Sequence, residues 1–227
     1  MPDHLSTFPF IYLASQSPRR QELLKQIGVQ FELLLPSQEE DAESLESVLP
    51  NEASLDYVQR VTRLKVEAAK KRMDHRHLPF TPILCADTTV AISLGSTVKG
   101  SHKAHEQILG KPQDDENARQ ILQLLSGKTH QVHTAVAVLT KKDDQELVRL
   151  LVSTSNVTFK ALSSSDISAY IASQEHLGKA GAYGIQGLAA CFVENIQGSF
   201  SGIMGLPLFE TAQLLQESDV QFGLNSI

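Results

Sequence analysis

The chain has 227 residues, of which 41% are hydrophobic and 20% charged, with a net charge of −6 at pH 7. That length fits one large α/β domain or two small lobes with an ample core. The acidic balance argues against a basic surface for polymeric nucleic acid, and no apolar run is long enough to span a membrane.

Met1-Pro2-Asp3-His4 supplies no basic segment before the first apolar stretch, so it does not read as a signal peptide. Cys85 and Cys191 both fall in apolar, strand-like runs. They read as buried free thiols in a reducing compartment, which points to the cytoplasm.

In chain order, Phe10 to Ala14 reads as a short buried strand. A helix follows, with Ser17 suited to the N-cap, Pro18 to the first helical position and Gly28 to the stop. Val29 to Leu35 is a second strand. Pro36 to Pro50 is acidic and serine-rich, a loop. The helical pattern from Glu52 to Met73 places Leu55, Val58, Val61, Leu64, Val66 and Ala69 inward. After a linker from His75 to Pro82, Ile83 to Ile92 is a strand, and Gly95 to Gln107 reads as an exposed hairpin tip or insertion. Asp114 to Leu125 is a helix with an acidic start that suits its dipole. Gln131 to Leu139 and Glu146 to Phe159 pair as a hairpin through the turn Lys141-Lys142-Asp143-Asp144. Ser165 to Ser173 is a helix, Gly178 to Gly187 a glycine-rich loop, Leu188 to Ile196 a strand and Gly198 to Gly205 a loop. Leu206 to Gln216 is the last helix, with Pro207 in its first turn. Antiparallel hairpins among interspersed helices predict an α/β or α+β fold with a mixed sheet.

Four groups carry chemistry. Arg19 and Arg20 sit in a first helical turn, where the dipole is already positive, at a cost of about 0.3–1 kcal/mol each. They make sense beside an anion, held with the hydroxyls of Ser15 and Ser17 and free backbone N–H groups. On local sequence alone, two solvated arginines fit equally well. Glu39-Glu40-Asp41 forms an acidic loop, by default a solvated one. Asp87 interrupts a strongly apolar strand, which is costly without partners, and Thr88 and Thr89 stand beside it. Lys111 lies between two turn-formers, Gly110 and Pro112. Carboxylates, phosphate-binding cations and a loose loop suit metal-assisted phosphate chemistry, in which a Mg²⁺-type ion keeps several waters. No Walker pattern is present. Gln186, in Gly181-Ala182-Tyr183-Gly184-Ile185-Gln186-Gly187, offers a donor and an acceptor suited to a base edge. His130 and His133 are three apart on a strand, so they face opposite sides and make a poor zinc pair.

With these residues in view, the chain resembles the Maf family of nucleoside triphosphate pyrophosphatases. The matching stretches are Leu13-Ala14-Ser15-Gln16-Ser17-Pro18-Arg19-Arg20, the Arg60 to Lys65 helix, Ala86-Asp87-Thr88, Leu109-Gly110-Lys111-Pro112, Ser126-Gly127-Lys128-Thr129-His130, Lys179 to Gly187 and Gly205-Leu206-Pro207-Leu208. They run in the family's order over nearly the whole length, as a single Maf-like domain. The resemblance implies a mixed twisted sheet with flanking helices and two lobes around a nucleotide cleft, as in the inosine triphosphate pyrophosphatases. It implies hydrolysis of a nucleoside triphosphate to the monophosphate and pyrophosphate with a divalent cation, Mg²⁺ or Mn²⁺. Asp87 matches the family's catalytic acidic position. Arg20, Thr88 and Gln186 match the positions that mark the subfamily acting on dTTP and UTP. Ser15, Arg19, Lys65 and Lys111 match other phosphate- or nucleotide-binding positions, and Asp87 with Glu40 would hold the metal. Modified pyrimidine triphosphates fit the same substrate class.

The chain carries more residues between Ile92 and Leu109 than family members usually have, which predicts a longer hairpin tip near 95–107. The sequence leaves a homodimer open. It also leaves two other functions open: a nucleotide-binding regulator without turnover, and a phosphohydrolase that releases orthophosphate.

Overall fold

The computed structural model describes residues 7–38, 40–41, 44–94, 105–143 and 145–223. Seven strands form one mixed sheet: β1 (Ile11–Leu13), β2 (Phe31–Leu33), β3 (Ile83–Leu94), β4 (His105–Leu109), β5 (Thr129–Lys142), β6 (Gln145–Phe159) and β7 (Val193–Gln197). Their order is β2-β1-β3-β5-β6-β7, with β4 also on β3. β1 runs parallel to β2 and β3, and the other pairings are antiparallel. The parallel pairs require crossovers, which α1 (Pro18–Gln26) and α2 (Ser54–His75) supply.

The period-2 alternation of β3 assigns its two faces. Cys85 packs with Val66, Ala69 and Met73 of α2. Leu84 and Ala86 face the other way, against Leu23 and Leu24 of α1 and Leu214 and Leu215 of α6 (Leu208–Gln216). Further along that second face, Val90 and Ile92 join α3 (Asp115–Leu125) and α4 (Ser164–Ala172) around Phe159 and Tyr183. Asp87 therefore falls on the α2 face. Thr88 falls on the opposite face, between two apolar clusters.

One break in the sheet shapes the molecule. β5 covers one edge of β3 from Ile83 to Ala91. On the other edge, β1 pairs only with Ile83 and Leu84, and β4 only from Val90 onward. Among the described residues, Cys85 to Thr89 thus have no neighbouring strand on that side. The chain leaving β1 and the chain leaving β4 both end at this gap, because one strand is parallel and the other antiparallel to β3.

Several expectations are corrected. Leu188–Phe192 is a 3₁₀ turn rather than a strand, and the strand begins at Val193, the first β-branched residue of that run. Cys191 is consequently exposed, while Cys85 is buried as expected. The loop from Gly198 to Gly205 contains α5 (Phe200–Met204), capped by the Ser199 side chain, which accepts from Gly202 N–H. Leu55 is 43% exposed, because Tyr57, Val58 and Val61 set the inward face at that end of α2. Ser17 occupies the N-cap position of α1 without a side-chain cap, and its N–H instead donates to Ser15 Oγ. The hairpin of β3 and β4 forms, and His105 to Gln107 belong to its second strand. The rest of the expected tip, 95–104, lies outside the described residues, as does Glu39. Among the described residues, no helix is long and apolar enough to cross a membrane.

Candidate active site

A cavity of about 1010 Å³ opens at the gap in β3, and Ser15, Arg19, Arg20, Glu40, Lys65, Asp87, Thr88, Lys111 and Gln186 all line it. The residues singled out in the sequence are thus gathered around one space. They divide by the face of β3 they belong to.

On the α2 face, Asp87 is 6% exposed at the centre of an apolar strand. Its partner is Lys65, at the middle of α2, whose Nζ lies 2.5 Å from Oδ1. The same ammonium donates to Glu46 Oε1 at 2.7 Å, and Lys111, just beyond β4, donates to Glu46 Oε2 at 2.6 Å. Burial pulls the Glu46 carboxyl upward, but Lys65 and Lys111 outweigh it and hold the group below the usual carboxylate range. Glu46 does not hang from a loose loop. Tyr57 Oη donates to its carbonyl at 2.9 Å, and Arg60 bonds both Ser47 O and the Glu52 carboxylate.

Glu40 lies on the same wall but points elsewhere. Its carboxylate receives Arg72 Nε and NH2 at 2.6–3.1 Å, and these hydrogen bonds lower its pKa. Arg72 also donates to Leu34 O, so the pair pins the segment after β2 onto α2. The carboxylate brought to Asp87 through a shared lysine is therefore Glu46, not Glu40. Nothing distinguished Glu46 in the sequence within its acidic, serine-rich segment. The usable signal was a lysine-rich site in need of a second counter-charge.

The other face is cationic. Arg19 Nε donates to Met204 O, and Arg20 Nε donates to Gly205 O. Both guanidinium groups are thus braced by the carbonyl end of α5, with the correct sign for its dipole. Arg20 also donates to Ser15 Oγ and Thr88 Oγ1. Among the described residues, neither arginine forms an ion pair with a carboxylate. Burial lowers the pKa of Arg20, and the charge of Asp87 opposes that shift. A partly desolvated guanidinium with no counter-ion is a site prepared for an anion.

The glycine-rich segment closes the cavity. Gly181 has φ +69°, and its N–H donates to Gly110 O, tying this segment to the turn that carries Lys111. Gly184 N–H donates to Tyr170 Oη, and a Cβ at Gly184 would lie 2.9 Å from Lys179 Cε. Lys179 is a cavity residue the sequence reading left without a role.

The donor set suits one class of metal. Asp87 and Glu46 offer oxygen ligands, and among the described residues no group of three or more His, Cys, Asp and Glu is placed to hold an ion. Two carboxylates beside lysines suit a hard ion of the Mg²⁺ or Mn²⁺ kind, which takes one or two protein carboxylates and keeps its other positions for water or phosphate oxygens.

A family model described as Maf-like protein matches residues 10–218. The chain is 55% identical to a dTTP/UTP pyrophosphatase of Albidiferax ferrireducens, over 91% of this chain and 96% of that protein. It is 53% identical to a dTTP/UTP pyrophosphatase of Cupriavidus pinatubonensis, over 94% and 98%. A protein of the same name from Burkholderia pseudomallei is 50% identical, over 98% and 100%.

Proposed function

We propose, from the premise that this chain belongs to the Maf-like protein family, that it hydrolyses dTTP and UTP to the monophosphate and pyrophosphate. The names and the near-complete coverage of its relatives support this reading. The single observation in the fold that carries it is Asp87 bonded to Lys65 at the open edge of β3, opposite an arginine pair that has no carboxylate partner among the described residues.

The triphosphate lies across the gap, with Arg19, Lys65 and Lys111 orienting its oxygens. Asp87 positions a water for attack at the α-phosphorus and accepts its proton. The new bond joins the water oxygen to phosphorus, the α–β anhydride bond breaks, and pyrophosphate leaves with the bonding pair. Asp87 and Glu46 would hold a Mg²⁺ or Mn²⁺ ion, which when bound neutralises phosphate charge. Arg20, Thr88 and Gln186 read the base, and modified pyrimidine triphosphates belong to the same substrate class. The residues named here line one cavity of the chain. The whole chain serves as one catalytic unit, with 95–107 as an insertion, and a reducing cytoplasm suits its two free thiols.

The test is a release assay on a panel of nucleoside triphosphates that resolves pyrophosphate from orthophosphate. Pyrophosphate from dTTP and UTP, well above that from N7-methyl-GTP, is the expected result. Orthophosphate would indicate γ-attack, and no turnover would indicate a binding protein.

A further inference from the structure

Thr134 of β5 stands directly across from Thr88 of β3 in the sheet register and is fully buried. Its hydroxyl donates to Gly202 O of α5 at 2.7 Å. A carbonyl cannot donate, and a threonine has one hydroxyl proton, so that proton is committed. The 2.9 Å contact between the two threonine hydroxyls then has one polarity: Thr88 donates and Thr134 accepts. The Thr88 proton is in turn committed away from the cavity. Arg20 Nη2 donates to Thr88 Oγ1 at 3.4 Å. What Thr88 still offers a ligand is a lone pair.

We propose that Thr134 is a positioning residue for base selection, which holds Thr88 as a hydrogen-bond acceptor and so selects an imide N–H in the substrate. This rests on the reading that Thr88 faces the base of a pyrimidine triphosphate. Thymine and uracil present N3–H beside a carbonyl oxygen, whereas cytosine presents a bare N3 beside an amino group. Arg20 has five N–H donors, of which three are engaged with Gly205 O, Ser15 Oγ and Thr88 Oγ1. An unused guanidinium N–H beside the Thr88 lone pair complements a carbonyl next to N3–H, and is mismatched to cytosine. An acceptor also repels a phosphate oxygen, which assigns Thr88 to the base rather than to the triphosphate. A polar group held in one orientation discriminates strongly, because the wrong ligand leaves it unpaired.

The experiment compares kcat/KM for dTTP and dCTP in the wild type, Thr134→Val and Thr134→Ser. Valine keeps the shape and frees the Thr88 hydroxyl to rotate, so the dTTP to dCTP ratio falls about tenfold or more, the equivalent of one hydrogen bond. Serine keeps the relay and the ratio. An equal loss on both substrates, or an unchanged ratio in an active Thr134→Val, overturns the proposal. N3-methyl-dTTP tests it on the wild type without any variant: turnover about tenfold or more below dTTP is expected, and equal turnover overturns it. Wild-type protein that releases no pyrophosphate from dTTP overturns the functional reading beneath it, a separate failure from an unchanged ratio.

Discussion

Two glutamates contend for the place beside Asp87, and their partners separate them. Glu46 shares Lys65 with Asp87, whereas Glu40 is engaged by Arg72. Glu46→Gln should therefore lower pyrophosphate release about tenfold or more, and Asp87→Asn by roughly 10²–10⁴. Glu40→Gln should leave turnover within about threefold and act on stability instead. The reverse ranking in a steady-state assay would return the role to Glu40. His130 gives a pH prediction. Its Nε2 meets Tyr183 Oη at 2.9 Å, its Nδ1 has no partner among the described residues, and burial pushes its pKa down to about 4. The unfolded chain binds the proton from pH 6.5 downward and the native state does not. Stability is therefore complete above 6.5 and falls as pH drops toward 4, by on the order of 3 kcal/mol. NMR of the ring should show His130 neutral at pH 5.5, and urea midpoints should fall across that window. At this scale, Arg19, Arg20 and Asp87 stood out in the sequence because each broke a local rule, whereas Lys111 was marked only by its place between Gly110 and Pro112. Thr134 and Glu46 broke none: their significance comes from partners 68 and 19 residues away.

The elements were easier to read where local preference and burial agree. The long strands β3, β5 and β6 and the amphipathic α2 and α3 follow from periodicity. The turn at Leu188–Phe192 and the short α5 were hidden, because neither is long enough to show a period. The glycine-rich segment was recognisable by composition but not by its connection. Gly181 holds φ +69°, and a Cβ there would lie 2.8 Å from Val90 Cγ2. Its N–H is the link to the Lys111 turn. Gly181→Ala should cost about 1–3 kcal/mol in urea unfolding. It should also weaken turnover by displacing Lys111 and Gln186 together. A variant with wild-type stability and rate would show that the link is dispensable.

For the molecule as a whole, the described residues bring no group of three or more His, Cys, Asp and Glu together to hold an ion. Among the described residues four apolar clusters cover both sheet faces, and Asp87, Glu46 and Glu40 are paired with lysines and Arg72. A chelator should abolish pyrophosphate release while shifting the melting temperature by less than about 2 °C, since an ion held jointly with substrate adds little to the free protein. A collapse of the melting temperature would point to a structural ion instead. The mixed sheet with flanking helices could be anticipated from the order of elements. The break in the β3 edge could not, because it depends on how far two short neighbours extend along a third strand. That break has a consequence for life at high concentration. An exposed strand edge usually invites another polypeptide to add on, the first step toward aggregation. Here the bare stretch runs only from Cys85 to Thr89 and is walled at both ends by β1 and β4. The cavity brings a small solute up to Ala86, Asp87, Thr88 and Thr89, but an incoming strand has no room to lie down. One stretch of sheet edge thus faces the cavity without offering a template for fibre growth.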